Sequence, residues 1–272
     1  MSLTTCYDVF ECFVTAANAG FCIKQESDKD KEFHFQNWVG NRLDELSLNY
    51  DEVGRNTYPD YRLVDVPEGY EVKGLQSPGR IANYDSNSQV PSGSHRGRKI
   101  FYIFGLYPKS MLPYPKDANG HRKYPLLDLV VCHGDFLNAD HNYIHKNKNI
   151  KGFGTYGDIM IRDRKMYVPP TPFAITEGTG GFRTLIIPES MEREDDRFQV
   201  VGRLTRVEAE KIITAYTFNL QTNSLIAEEI DNPNAGKEHR FIACRLKGDP
   251  CNPVSIRTKP IDIDAEEEFE DD

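Results

Sequence analysis

Two stretches of this chain, Ile100–Leu106 (IFYIFGL) and Leu126–Cys132 (LLDLVVC), run almost unbroken through apolar and aromatic residues. An amphipathic helix would interrupt such runs every third or fourth residue, and a strand with one wet face would alternate. They fit strands buried on both faces, which belong inside a sheet covered by a layer on each side. Helical cover is legible upstream. Residues 2–20 carry Val9, Phe10, Phe13, Val14 and Ala17 at helical spacing and stop at Gly20. After a polar connector (25–32), a second helix over roughly 31–47 gathers Phe35, Trp38, Val39, Leu43 and Leu46 on one side.

A turn-rich segment (49–60) then leads to two short strand candidates, Tyr61–Val66 and Tyr70–Leu75, joined by Pro67-Glu68-Gly69. Residues 78–98 and 109–125 read as loops, His133–Lys148 as helical, GFGTYGD (152–158) as a loop, and IMIRDRKMYV (159–168) as a strand. FQVVGRL (198–204) and HRFIACRL (239–246) read as strands around a helix at about 205–219, which carries Val207, Ile212, Ile213 and Tyr216. The order predicts an α/β or α+β fold with a mixed central β-sheet flanked by helices. Residues 1–173 form the core unit, 174–261 belong to it or pack closely on it, and 262–272 are expected to be disordered.

The net charge of −9 is unevenly distributed. DIDAEEEFEDD (262–272) holds eight acids and no base, so the remainder carries only −1. Between His95 and Lys165 there are thirteen Lys or Arg against six Asp or Glu, with five of the seven histidines. A basic middle and an acidic tail permit a phosphate-binding face without establishing one, since a solvated surface explains the charge equally well. The six cysteines (Cys6, Cys12, Cys22, Cys132, Cys244 and Cys251) contain no CxxC pair and read as free thiols of a reducing cytoplasm. No apolar stretch reaches membrane-spanning length, and MSLTTCYDVFECF does not read as a secretory leader.

The segment richest in chemistry is Tyr58-Pro-Asp-Tyr-Arg-Leu-Val-Asp-Val-Pro-Glu-Gly-Tyr-Glu-Val-Lys-Gly. Asp60 stands at the mouth of one strand candidate, and ten residues separate it from Glu71-x-Lys73 on the next. Strand alternation puts Glu71 and Lys73 on one face, and a hairpin of this length can bring Asp60 beside Glu71. Two carboxylates there offer the oxygen ligands that Mg²⁺ prefers, while the ammonium can orient a water and offset developing charge.

Four stretches in order, 58–75, NYDSNSQVP (83–91), GDFLNADHNYIH (134–145) and IRDRKMYVPPTPF (161–173), resemble the PD-(D/E)xK type II restriction endonucleases. The likeness is closest to the branch whose best-known members cut GGCC, and weaker similarity extends into 31–47. The resemblance implies a Mg²⁺-dependent nuclease core over 1–173 that hydrolyses double-stranded DNA. Its metal-binding acid falls on Asp60, its acid and Lys on Glu71 and Lys73. Some relatives add a helix glutamate as a metal ligand; Glu45 or Glu32 could serve, or Gln36 as a water-holder, and Glu45 is carried forward. The resemblance also implies DNA contacts from the loop holding Asn87, Ser88 and Gln89, a homodimer, and a cognate DNA methyltransferase as genetic partner. Asn and Gln can read adenine bidentately, and Arg162, Arg164 and Lys165 can read guanine or bind phosphate. Residues 174–272 have no counterpart in the family, so its target sequence does not carry over.

Other motifs carry less. His141 and His145 are four apart near His133, Asp135 and Asp140, yet lack the acid of a zinc-binding HExxH helix. GFGTYGD lacks the Lys-Ser/Thr of a P-loop. ITEGTGGFRTL (175–185) is faintly like the glycine turn of small lipocalin-like barrels and is more simply a loop between strands. Two alternatives compete: another PD-(D/E)xK-like nuclease acting in repair, recombination or phage defence, and a non-catalytic β-rich module that binds a small ligand or partner protein, with the carboxylates merely exposed.

Overall fold

The computed structural model describes residues 5–259 apart from 26–31, 53–57, 85, 88–89, 110–115, 117, 119, 141–143, 148–164, 220, 222–223 and 251–254. Two helices, α1 (Cys6–Asn18) and α2 (Glu32–Glu45), lie against a nine-stranded sheet. Its strands are β1 (Tyr50–Glu52), β2 (Tyr61–Leu63), β3 (Glu68–Ser77), β4 (Ser94–His95), β5 (Arg98–Pro108), β6 (Asp128–His133), β7 (Thr184–Pro188), β8 (Phe198–Val207) and β9 (Glu238–Leu246). The spatial order is β8-β9-β7-β6-β5-β3-β2-β1, with β4 paired to the start of β5. The pairs β3–β5 and β6–β7 are parallel and the others antiparallel, so the sheet is mixed, as expected.

Alternation divides the core in two. Tyr70, Val72, Phe101, Ile103, Leu129 and Val131 face α1 and α2, where Phe10, Phe13, Phe35, Trp38 and Leu43 cover them. Leu75, Ile100, Tyr102, Phe104, Val130 and Cys132 face the other way, beneath Tyr84, Ile175, Ile256 and the short helix α3 (Gly134–Asn138). Burial of both faces accounts for the continuous apolar runs, since every side chain of β6 is buried. The thiols of Cys6, Cys132 and Cys244 fill core positions, and burial pushes all three up, which leaves them inert.

Three expectations are corrected. Residues 205–219 are not a helix: β8 runs to Val207, and Lys211–Asn219 pairs with Ser224–Asp231 as a separate antiparallel hairpin. Within His133–Lys148 the described residues are helical over Gly134–Asn138, and Ile144–Asn147 is a strand. The loop after β5 contains Lys123–Tyr124, which pairs with Ile23–Lys24. Among the described residues no helix is long and apolar enough to cross a membrane. The acidic tail, 262–272, lies outside the described residues.

Candidate active site

The site grows out of the β2–β3 hairpin. Tyr61 pairs with Tyr70 and Arg62 with Gly69, so one further step places Asp60 across from Glu71. Because β2 ends at Tyr61, the N–H of Val72 has no strand residue beside it, and it donates instead to Asp60 Oδ2 at 2.8 Å. The carboxylate thus substitutes for a missing ladder acceptor and is pinned between Glu71 and Lys73. Alternation puts Tyr61, Tyr70 and Val72 toward the helices, leaving Asp60, Arg62, Glu71 and Lys73 for the opposite face.

Lys73 Nζ lies 2.7 Å from Glu71 Oε1, with side chains only 20% and 13% exposed. Glu71 Oε2 is buried and has no hydrogen-bond partner among the described residues. A half-satisfied buried carboxylate is costly unless something else completes it. Parallel pairing with β5 sets Tyr102 beside Glu71 and Phe104 beside Lys73. Tyr84 packs on both rings, at 6.3 and 5.1 Å, and its own ring lies 5.9 Å from Lys73 Nζ. Tyr102 donates its hydroxyl to Tyr58 Oη at 3.1 Å, and Tyr58 donates to the Ser92 carbonyl at 3.4 Å. Burial, with a contribution from the Glu71 charge, holds the phenols of Tyr58, Tyr84 and Tyr102 above their usual range, so all three stay neutral. The two acids and one ammonium therefore sit on an aromatic floor that supplies no competing charge.

Of the residues singled out by sequence, Asp60, Glu71 and Lys73 come together. Glu45 does not join them: it ends α2 on the other side of the sheet, where it pairs with Arg42. Glu32 begins that same helix, and Gln36 uses its carbonyl to accept the Tyr61 hydroxyl at 2.7 Å. Asn87 and Lys165 are strand residues, while Ser88, Gln89, Arg162 and Arg164 lie outside the described residues. Lys165–Val168 forms the middle of a small three-stranded sheet, with Ile144–Asn147 on one side and Ser86–Asn87 on the other. The stretches 83–91, 134–145 and 161–173 therefore meet, and the Tyr84 N–H, donating to the Pro169 carbonyl at 3.1 Å, ties that sheet to the ring beside Lys73.

The zinc reading loses its helical basis, because His145 is a strand residue opposite Tyr167; His141 lies outside the described residues. Among the described residues no group of three or more His, Cys, Asp or Glu is placed to hold a metal. Sequence reasoning missed Tyr58, Arg62, Tyr84 and Tyr102. Period-two alternation from Asp60 would have found Arg62, whereas the tyrosines are assembled by strand pairing that no local pattern encodes. No family model, no curated protein and no solved structure matches this chain.

Proposed function

We propose that this chain is a Mg²⁺-dependent, sequence-specific double-strand DNA endonuclease of the type II restriction kind, acting through Asp60, Glu71 and Lys73. The observation that carries the reading is Glu71 Oε2, a buried carboxylate oxygen left without a partner two residues from an ammonium and across from a second carboxylate. An orphaned oxygen beside Asp60 fits a hard divalent cation, which Asp60 and Glu71 would hold. A divalent cation held there would supply Lewis-acid polarisation of the scissile phosphate and acidification of the attacking water. Lys73, held against Glu71 Oε1, orients the attacking water and offsets charge developing on the phosphate. The neutral tyrosine floor excludes bulk water from below. The small sheet joining 86–87, 144–147 and 165–168 supports a DNA-reading role for those segments, since it stands against Tyr84 at the site's edge.

Nicking of supercoiled plasmid with and without Mg²⁺ tests the reading. Lys73→Ala is expected to lower cleavage by about 10²–10⁴-fold while leaving duplex binding largely intact, because one phosphate contact contributes modestly to affinity. Undiminished cleavage by that variant would move the catalytic centre elsewhere.

A further inference from the structure

A second basic element abuts the site. β4 and β5 are joined by the two-residue turn Arg96-Gly97, and both residues have positive φ, 49° and 78°. That is the signature of a type I′ hairpin turn, whose first position favours Asn, Asp or Gly because a left-handed backbone strains other side chains. Here the first position holds an exposed arginine. The hairpin is fixed to the catalytic one: Arg98 Nη1 donates to the carbonyls of Leu63 and Val66, and the Lys99 N–H to that of Pro67 at 2.8 Å. His95, at its base, stands edge-on to Tyr58 with ring centroids 5.0 Å apart. Tyr58 is two residues from Asp60 and hydrogen-bonded to Tyr102.

Arg62 completes the group. It lies on the same face as Asp60, two residues along the chain, and its Nε is buried without a hydrogen-bond partner among the described residues. Neither Arg62 nor Arg96 has a carboxylate partner among the described residues. Strand register sets Arg62 opposite Gly69, Gly69 opposite Ile100 and His95 opposite Arg98, so Arg62 and His95 stand at the same end of the sheet; burial, then the charges of Arg96 and Arg62, depresses the His95 pKa. The unused donor at the buried Arg62 Nε is costly, whereas the exposed Arg96 guanidinium is solvated and open to a ligand from solution.

Resting on the nuclease reading, we propose that Arg62, His95 and Arg96 form the seat for a backbone phosphodiester of the duplex, beside the phosphate held at Asp60, Glu71 and Lys73. Arg62 supplies its guanidinium from the catalytic strand, and Arg96 closes over the phosphate from the tip of the fixed hairpin. His95 offers a ring N–H between them. The strained turn follows: Asn at position 96 would suit the backbone and lose the guanidinium.

Binding of the full chain to a fluorescently labelled mixed-sequence duplex, without divalent ions and across a salt series, decides the matter. Arg96→Asn and Arg62→Gln are each expected to weaken binding several-fold and to make the slope of log affinity against log salt shallower by about 1. Arg96→Asn should melt at or above the wild-type temperature, separating loss of binding from loss of fold; if Arg62→Gln does not melt cooperatively, Arg96→Asn decides alone. Wild-type affinity and slope in folded Arg96→Asn would overturn the seat, as would a wild-type chain without salt-dependent duplex binding. No Mg²⁺-dependent nicking of plasmid by the wild type, with the slope still reduced in Arg96→Asn, would leave the seat standing and remove the nuclease reading.

Discussion

Asp60 shows how much one side chain can be asked to do, since its carboxylate both completes a strand ladder through Val72 and faces the Glu71–Lys73 pair. If Asp60 and Glu71 hold the cation, saturating Mg²⁺ should raise the melting temperature of the wild type. Ligand at a hundred times its dissociation constant adds about 2.7 kcal/mol to the folded state. Asp60→Asn and Glu71→Gln should lose that shift, and an equal shift in both variants would place the ion elsewhere. Asp128 makes a different prediction. It is buried at the start of β6, accepts the N–H of Leu129 and of Gly181 at 2.7 Å each, and burial pushes its carboxyl up to about 6. A raised carboxyl pKa means the folded state binds the proton more tightly, so its contribution is fully present below the unfolded value near 4 and is lost as pH rises through about 6. His133, depressed by burial, works the other way, losing stability as pH falls below its ordinary value of 6.5. The stability difference between wild type and Asp128→Asn isolates the first effect. It should grow by about 1–3 kcal/mol in favour of wild type between pH 7 and pH 4, and a flat difference across denaturant melts would refute it. The triad was legible in sequence because its residues sit on one hairpin, where spacing and alternation fix their faces. Arg96 was not, because its importance lies in a backbone angle.

Helices α1 and α2 and the central strands follow from periodicity, because each buries a continuous face that one stretch of sequence can display. The hairpin over Lys211–Asn219 and Ser224–Asp231 did not, for a particular reason. Ile212, Ile213 and Tyr216 match a helical stripe, and the register shift between Ile213 and Ala215 breaks the alternation that would reveal a strand. Ile144–Asn147 was likewise masked, since its strand character comes from pairing with Lys165–Val168, about twenty residues away along the chain. Where helix meets sheet, the fit is close enough to test. Phe35 is fully buried, stacked on Trp38 and Tyr107 at 5.8 and 6.4 Å, and a Cβ on Gly105 would stand 2.1 Å from its ring. Phe35→Ala should cost about 3–5 kcal/mol, and Gly105→Ala about 1–3 kcal/mol through overpacking. The double variant should be more stable than the sum of the two losses, because the new methyl enters the space the ring vacates. Additive losses in denaturant melts would mean that α2 does not dock through this contact.

The sequence holds one Asp60, Glu71 and Lys73 constellation, and under the proposed function one such site would cut one strand. Under the proposed function, a double-strand break at a palindrome needs two sites related by a two-fold axis, and the second comes from another copy. The sheet edges constrain how two copies meet. At β8, the Ile256 N–H donates to the Val201 carbonyl at 3.1 Å and Thr258 Oγ1 to the Thr205 carbonyl at 3.3 Å, so part of that edge is already occupied. At the other end, β1 covers three of the described residues, Tyr50–Glu52. Covered and short edges are poor templates for strand addition, which leaves association through faces or through the duplex itself. The homodimer is therefore expected to form with the loop 83–91 and the basic stretch 95–165 of both copies lining one groove, stabilised by DNA bridging the two phosphate seats. Sedimentation at micromolar concentration, with and without a duplex bearing the cleaved sequence, reads this directly. Two copies per duplex are expected, and Arg96→Asn should lower the occupancy of the complex without changing its stoichiometry. One copy per duplex together with full double-strand cleavage would replace the dimer by a monomer that nicks each strand in turn.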